Sequence, residues 1–278
     1  MNILLTNDDG IAAPGLWAAA RALAKVGQVT ILAPTTNYSG YGAALPPSRS
    51  FSCFPYRHPD GQPRNVTAYA LAGTPATCVH VGLRGLLAAP CDLVVSGINH
   101  GANLGRDVFY SGTVGAALTA HLLGVPAIAI SLDADRAGVA HWEAATWALG
   151  EAVRLWRVNP PPAASAGSES VPVMLNVNAP NLPVSRLMGT LITTPANASC
   201  LTRYRFSADP HAENTLVVST DGEERPAPEP WTDAWAVELG YVSITPLRAF
   251  PDLLCVVPWD LSRASLTLPL LSAAEMTQ

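Results

Sequence analysis

The chain has 278 residues, of which 49% are apolar and 13% are charged, and its net charge at pH 7 is −5. This composition excludes an intrinsically disordered chain, and the acidic balance argues against a polymeric nucleic acid or an anionic membrane as a partner. Lys25 is the only lysine, which excludes a Walker-type phosphate loop and argues against Schiff-base chemistry.

The cysteines and the N-terminal residues indicate a compartment. The five cysteines are odd in number and no two are spaced as C-x-x-C, so neither a disulfide framework nor a thiolate zinc site is suggested. Residues 1–10 lack the basic region and the long apolar region of a secretory signal. We therefore predict a cytoplasmic protein without a leader.

The first half of the chain alternates short buried strands with helical patterns. In chain order, the predicted elements are a strand at 3–5, a helix at 16–24, a strand at 29–32, a helix at 74–87, a strand at 92–96, a helix that begins near 113, a strand at 127–131 and a helix at 141–156. Strands without in–out alternation, each followed by a helix, are typical of a parallel sheet that is covered on both faces. The sequence therefore predicts an α/β fold with a Rossmann-like, mostly parallel sheet and helices on both faces.

One uncharged segment tests whether a membrane is involved. Residues 112–132 contain no Asp, Glu, Lys or Arg and are long enough to cross a bilayer as a single helix. Gly124 and Pro126 interrupt the segment, and Ile128 and Ile130 follow with the spacing of a buried strand. We therefore predict a helix and then a strand here, and no membrane partner.

The second half of the chain has a different pattern. A Pro/Ala/Ser-rich stretch at 159–170 is typical of a linker or a solvated loop, and it separates a predicted core at 1–158 from residues 171–278. Residues 171–278 contain short strand-like runs and one helical pattern at 233–239. We interpret them as the remaining strands of the core, a hairpin and a strand-rich C-terminal extension.

Four polar loops follow the predicted strands, at the end of the sheet where ligands bind in parallel α/β folds. The first loop is Asn7-Asp8-Asp9-Gly10. Adjacent carboxylates repel each other unless a cation or a proton intervenes, and Gly10 permits the turn that would bring both to one cation. Taken alone, the loop is better explained as a solvated Asp-rich turn.

The second and fourth loops carry hydroxyl groups. Ser39 in Asn37-Tyr38-Ser39-Gly40 could ligate a hard metal or hold a phosphate oxygen, although this kind of segment is usually a plain turn. Ser111, Gly112 and Thr113 open a predicted helix, where free N–H groups and the helix dipole favour a phosphate. A simple Ser/Thr N-cap has the same sequence signature.

The third loop, residues 96–105, has the sequence SGINHGANLG. Its glycines allow the backbone to approach a ligand, and the amides of Asn99 and Asn103 offer uncharged donors and acceptors. The glycine spacing is not that of a dinucleotide-binding loop, and a tight loop with amide caps is an equal alternative. We interpret His100 as a hydrogen-bonding residue rather than as an acid that protonates a leaving group.

Taken together, these loops offer carboxylate, hydroxyl and amide oxygens and no cysteine. Such a donor set suits Mg²⁺ or Mn²⁺ better than Zn²⁺. A divalent cation next to a phosphate-binding helix N-terminus indicates phosphoryl chemistry. Asp8 or Asp9 would then act as the general base, and the sequence does not decide between them.

Several segments resemble the SurE (survival protein E) family. They are ILLTNDDGIAAPGL, the YSG turn at 38–40, LAGTPATCV, DLVVSGINHGANLGRDVFYSGTVGAA, LGVPAIAISL, LNVNAPNLP and GYVSITPL. The resemblance implies a divalent-metal-dependent phosphatase of 5′- and 3′-nucleoside monophosphates, in some members active on polyphosphate. It also implies a homodimer or homotetramer, with the C-terminal extension used in oligomerisation.

The resemblance also implies roles for single residues. It implies metal ligation by Asp8, Asp9, Ser39 and Asn99, and it places Asn103 and Ser111-Gly112-Thr113 near the phosphate. The chain departs from the family at 35–38, where relatives usually carry charged residues, and at 197–230, which lacks most of the expected basic residues.

Two other functions are compatible with these motifs. A nucleotide-binding sensor that has kept the metal and phosphate sites would be stabilised by nucleotide without releasing phosphate. A nucleotide-sugar transferase would prefer a nucleoside diphosphate sugar to a monophosphate. The metal-dependent nucleotidase is the leading hypothesis.

Overall fold

The central feature of the protein, seen in a computed structural model, is a twisted sheet of ten described strands. The structure describes residues 1–48, 50–134, 138–158, 174–197, 201–208, 216–224, 227–248 and 255–256. The strands are β1 (Asn2–Thr6), β2 (Gln28–Pro34), β3 (Cys53–Tyr56), β4 (Val66–Leu71), β5 (Leu93–His100), β6 (Ala127–Asp133), β7 (Met174–Pro180), β8 (Thr190–Ile192), β9 (Leu201–Ala208), β10 (Leu216–Glu224), β11 (Val242–Arg248) and β12 (Cys255–Val256). The helices are α1 (Pro14–Leu23), α2 (Pro75–Val81), α3 (Gly112–Leu122), α4 (Trp142–Val158) and α5 (Asp233–Glu238).

The strand order is β12-β11-β7-β6-β5-β1-β2-β4-β3, and β8 pairs with β11. All neighbours from β7 through β6, β5, β1 and β2 to β4 are parallel, whereas β3, β7 and β12 each form an antiparallel pair near an edge. Strands β9 and β10 form a separate antiparallel hairpin. The predicted α/β fold with a mostly parallel sheet is confirmed.

Helices cover both faces of this sheet, as the sequence predicts. Along β1, Ile3 and Leu5 point into the cluster that contains α1 and α4, whereas Leu4 points into the cluster that contains α2 and α3. All three side chains are buried because both faces of the strand are covered. This explains why β1 is a continuous apolar run.

The uncharged segment at 112–132 is divided as predicted. It forms α3 and then β6, with Gly124 at a φ of 79° and Pro126 between the two elements. Across the described residues, the longest and most apolar helices fall short of what a membrane crossing requires.

Several local predictions differ from the structure. Helix α2 ends at Val81 and continues as a single π-helical turn over Gly82–Leu86, and in the first half of the chain strands β3 and β4 were not predicted. Strand β5 continues to His100, so the first half of the predicted third loop is strand. The proposed boundary at 159–170 lies outside the described residues, and the domain division stays a prediction.

Two helical glycines provide a test of the packing that supports the site end of β5. A Cβ atom on Gly15 in α1 would overlap the carbonyl oxygen of Ile98 and lie 2.7 Å from Cζ3 of Trp142, whereas one on Gly150 in α4 would meet open space. We expect Gly15→Ala to lower the free energy of unfolding by about 1–3 kcal/mol because the overlap involves backbone. Gly150→Ala is expected to raise it by about 0.5–1 kcal/mol through helix propensity alone.

Urea unfolding of the two variants measures both effects. An equal change in the free energy of unfolding in both variants would show that the close contact between α1 and Ile98 does not affect stability.

Candidate active site at the carboxyl ends of the strands

The predicted polar loops meet at one end of the sheet. Strand β1 lies between β2 and β5, so the segments that follow these three strands are neighbours at their carboxyl ends. Asp8 and Asp9 follow β1, and Ser39 follows β2. Asn99 is the next-to-last residue of β5. The N-terminus of α3 completes the arrangement through contacts with Asp8.

Asp8 is held by the first turn of α3. Its Oδ1 accepts a hydrogen bond from the Thr113 hydroxyl at 2.5 Å, and its Oδ2 accepts one from the Thr113 N–H at 3.1 Å. The residue is only 2% exposed. Burial raises the pKa of Asp8 above its usual range and the charge of Asp9 raises it further, whereas the Thr113 hydrogen bonds lower it.

Asp9 connects the loops that follow β2 and β5. Its Oδ1 accepts a hydrogen bond from the Asn37 side chain at 3.2 Å, and its Oδ2 accepts one from the His100 N–H at 3.2 Å. Asp9 is half-buried and therefore more accessible than Asp8. His100 contributes its backbone here, while its ring lies 5.6 Å from that of Trp142.

The turn that carries Ser39 contacts the backbone of Asp8 and the carboxylate of Asp9. The N–H of Tyr38 donates to the carbonyl of Asp8 at 2.7 Å, and the side chain of Asn37 accepts from the Ser39 N–H at 2.8 Å. Ser39 itself is exposed. The structure therefore places its hydroxyl group in a turn that both acidic residues contact.

Asn99 has one end of its amide fixed. Its Nδ2 donates to the carbonyl of Gly101 at 2.7 Å, which leaves Oδ1 as the acceptor that a ligand can use. The residue is half-buried at the end of β5. Asn99 is thus arranged as a neutral oxygen donor at the same end of the sheet as Asp8 and Asp9.

Ser111 and Thr113 engage groups of the protein itself. The Ser111 side chain accepts from the Val114 N–H at 3.1 Å as an N-cap, and the Thr113 N–H is donated to Asp8. Two N–H groups of the first turn are therefore occupied. Gly112 packs tightly against Asp8, because a Cβ atom there would be 2.8 Å from both Cβ and Oδ2 of Asp8.

Asn103 is part of a buried network. Its N–H donates to Asn178 Oδ1 at 2.8 Å and its side chain donates to the Ser131 hydroxyl at 2.8 Å. Its carbonyl accepts from the side chains of Asn176 and Asn178. The structure thus uses Asn103 to anchor its loop, and a contact of its side chain with phosphate stays a prediction.

Three anchoring residues were not singled out from the sequence: Asn176, Asn178 and Asp233. Asn176 and Asn178 are fully buried on β7, and Asp233 is fully buried at the start of α5. A signal for the first two was present, because polar residues at alternate positions of an apolar strand must find hydrogen-bond partners inside the protein.

A cavity of about 530 Å³ opens next to the turn that carries Ser39. Tyr38 and Tyr41 line it and face each other edge to face, with ring centroids 5.1 Å apart. The described lining residues are all uncharged, and they include Leu45, Phe51, Gly73 and Thr74. Tyr38 belongs to both the cavity and the turn that contacts Asp8.

The site has the electrostatics that a hard cation would complement. No Lys, Arg or His side chain forms an ion pair with Asp8 in the described part of the chain, although burial of an unpaired carboxylate is costly. Within the described ranges, no cluster of three or more His, Cys, Asp or Glu is arranged to hold a metal. A cation bound here would instead be held by carboxylate, hydroxyl and amide oxygens together, a donor set that fits Mg²⁺ or Mn²⁺.

An open, mostly parallel sheet with its polar residues gathered at the carboxyl ends of the strands defines an α/β protein that binds its ligands at that end. Residues 3–201 match the family described as "Survival protein SurE". The chain therefore belongs to the SurE family, which confirms the resemblance drawn from the motifs.

Individual relatives are similar over most of their length. The chain is 39% identical over 255 residues to the 5′-nucleotidase SurE of Synechococcus sp. (strain JA-3-3Ab), which covers 91% of this chain and 93% of the relative. It is 41% identical over 251 residues to the 5′-nucleotidase SurE of Methylococcus capsulatus, in an alignment that covers 89% of this chain and 91% of the relative. The crystal structure of the SurE protein from Aquifex aeolicus is 34% identical and superimposes with a TM-score of 0.71, covering 89% of this chain and 93% of that one.

Proposed function

We propose that this chain is a divalent-metal-dependent phosphatase that hydrolyses 5′- and 3′-nucleoside monophosphates to a nucleoside and phosphate. The observation that carries the proposal is the convergence of Asp8, Asp9 and Asn99 with the N-terminus of α3. Membership of a family whose matched relatives are named 5′-nucleotidases supports an enzyme that acts on nucleotides.

The metal ligands in this proposal are Asp8, Asp9, Ser39 and Asn99. Three features support a cation at this position: the buried Asp8 carboxylate, which has no ion-pair partner in the described part of the chain, the adjacent Asp9 and the oriented Asn99 amide. When bound, Mg²⁺ or Mn²⁺ would neutralise phosphate charge and lower the pKa of water.

The two carboxylates are proposed to differ in role. Both oxygens of Asp8 already accept hydrogen bonds from Thr113, which suits a fixed ligand. Asp9 is more accessible and its hydrogen bonds are longer, which suits the residue that accepts a proton from the attacking water. The phosphate is proposed to lie at the first turn of α3, close to Ser111, Gly112 and Thr113, where the helix dipole favours an anion.

The neutral cavity is proposed to hold the nucleoside. Its tyrosines offer aromatic surface to a base, and the absence of charge from its described lining gives a polyphosphate chain no cation to bind. We therefore place nucleoside monophosphates ahead of short polyphosphates as substrates. Tyr38 would lie where the phosphate site and the cavity meet.

The hairpin formed by β9 and β10 is proposed as the contact with further copies of the chain. It stands apart from the main sheet, and Phe206, Val217 and Val218 are exposed on it at 65%, 41% and 53%. Exposed apolar groups of this kind favour a protein partner. We propose that the protein forms a homodimer or a homotetramer. We also propose that it is located in the cytoplasm.

Phosphate release tests the proposed function directly. The substrates are a panel of 5′- and 3′-nucleoside monophosphates, polyphosphate and an aryl phosphate, each assayed with Mg²⁺, with Mn²⁺ or with EDTA. We expect release that requires the metal, stops with EDTA and returns when Mn²⁺ is added. We also expect kcat/KM for nucleotides to exceed that for the aryl phosphate, because the aryl group fills less of the cavity.

Two results would contradict the proposal. Thermal stabilisation by nucleotide without phosphate release would indicate a binding protein. Release that EDTA does not reduce would remove the metal from the mechanism.

A further inference from the structure

Asp233 is a fully buried carboxylate that the proposed chemistry does not use. It is the first residue of α5 and has 0% exposure. Its Oδ2 accepts a hydrogen bond from the N–H of Gly105 at 2.9 Å, and its Oδ1 accepts from the N–H groups of Ala196 and Ala234, each at 2.8 Å. One side chain thus joins three segments that are far apart in the sequence.

The Gly105 contact is not needed to cap α5. The N-cap of that helix is Thr232, whose side chain accepts from the Trp235 N–H, and Ala234 already bonds to Oδ1 of Asp233. No ion pair compensates the charge of Asp233 in the part of the chain described by the structure, so three N–H groups carry the compensation. Holding Gly105 is therefore a separate role of this carboxylate.

Gly105 ends the loop that carries the asparagines of the candidate site. This segment, residues 99–105, starts with the last two residues of β5, is joined to β6 by the Gly101 N–H, which donates to the Leu132 carbonyl at 2.9 Å, and is held at Asn103 by β7. After Gly105 the chain makes one 3₁₀ turn and reaches Ser111 at the start of α3. A shift at Gly105 would therefore move groups on both sides of the site.

We propose that Asp233 is a positioning residue, which through Gly105 fixes loop 99–105 so that Asn99 and the start of α3 keep their places around the cation and the phosphate. The inference rests on the proposed function for its kinetic consequence. It also means that the second half of the chain, through Asp233 and Asn178, takes part in forming a site whose candidate ligands all come from the first half.

The Asp233→Asn variant tests this role selectively. The asparagine has one carbonyl oxygen, which makes most hydrogen bonds at the position of Asp233 Oδ1, where the N–H groups of Ala196 and Ala234 both donate. Its NH₂ group then faces the Gly105 N–H, which loses its acceptor. The contact within the C-terminal half is kept while the contact to the site loop is lost. Thr193→Val is the matched control, since it removes a buried hydroxyl that bonds to Ser243 and Thr245 and leaves Gly105 untouched.

The readouts are hydrogen exchange of the 99–110 peptide, Mn²⁺ affinity by calorimetry and the kinetics of phosphate release. For Asp233→Asn we expect exchange in 99–110 to be faster by about tenfold and kcat to fall by about tenfold to a hundredfold with Mn²⁺ bound more weakly, because small displacements in a site are costly. For Thr193→Val we expect lower thermal stability with exchange in 99–110, Mn²⁺ affinity and kcat all unchanged.

Two results would overturn the inference. The first is unchanged hydrogen exchange of residues 99–110 in Asp233→Asn. The second is that Asp233→Asn and Thr193→Val, when equally destabilised, lose the same amount of Mn²⁺ affinity and of kcat. If the wild-type protein releases no phosphate, the proposed function fails. The exchange and Mn²⁺ measurements still test whether the Asp233–Gly105 hydrogen bond holds residues 99–105 in place.

Discussion

The Asp8→Asn variant is expected to release phosphate from nucleoside monophosphates about a thousandfold more slowly than the wild-type protein, because stabilisation of the reacting phosphate depends on charge that is fixed in advance. Asp8 is 2% exposed and both of its oxygens are held by Thr113, so solvent cannot take its place. Asparagine keeps the shape of the side chain and removes the charge that is proposed to hold the cation. Initial rates at saturating Mn²⁺ measure the effect.

The same variant is expected to fold at least as well as the wild type. Burial is the main reason that the pKa of Asp8 is raised, which means that the ionised carboxylate is disfavoured inside the metal-free protein. Removing the charge should therefore raise the melting temperature measured in EDTA. This combination of lower activity and higher stability would separate a functional role of Asp8 from a purely structural one.

Asp60→Asn is the control, since that carboxylate is 89% exposed. It should leave both the rate and the melting temperature unchanged. An Asp8→Asn rate within about tenfold of the wild type would show that the charge of Asp8 is not part of the electrostatic stabilisation.

A single added methyl group at Gly112 is expected to lower kcat/KM by about a hundredfold, because the displacement of a reacting group by about 1 Å has effects of that size. The Cβ atom of Gly112→Ala would lie 2.8 Å from Cβ and Oδ2 of Asp8 and 3.1 Å from the carbonyl oxygen of Tyr38. The Tyr38 oxygen belongs to the backbone, and the Asp8 carboxylate is held by Thr113, so neither can move aside freely. Either Asp8 or the start of α3 must therefore move.

The stability of Gly112→Ala is expected to fall by about 1–3 kcal/mol, as for other overpacked positions. Gly150→Ala is again the control, because it adds the same methyl group to a helix where nothing lies within 4 Å. Phosphate release and urea unfolding are measured on both variants. Wild-type kcat/KM in Gly112→Ala would mean that the distance between α3 and Asp8 does not matter for the reaction.

The sequence predicts the central part of the fold because its signals are local. Continuous apolar runs identify β1 and β2, and Gly124 with Pro126 separates α3 from β6. The continuation of β5 to His100 could not be predicted in the same way. Glycines and polar residues there resemble a loop, and the pairing with β6 is irregular between Gly97 and Asn99.

For the site, parallel-sheet topology predicts which loops meet but not which groups bond. It correctly brings Asp8, Asp9 and Asn99 to one end of the sheet. It does not predict that the N–H of Thr113 is already donated to Asp8, or that Asp233 reaches Gly105 across 128 positions of the sequence. Such contacts depend on tertiary packing, which has no period along the chain.

The carboxylate at the start of α3 has a consequence for the order in which ligands bind. Asp8 already occupies the N–H and hydroxyl donors of Thr113 that would otherwise attract an anion, and a phosphate dianion entering the metal-free site meets acidic residues where the cation is proposed to bind. In the proposed mechanism, the affinity for nucleotide would therefore depend on the cation, and by thermodynamic reciprocity a bound nucleotide would increase the affinity for the cation by the same factor. Under this proposal, phosphate compounds in general would bind weakly to the protein in the absence of the metal.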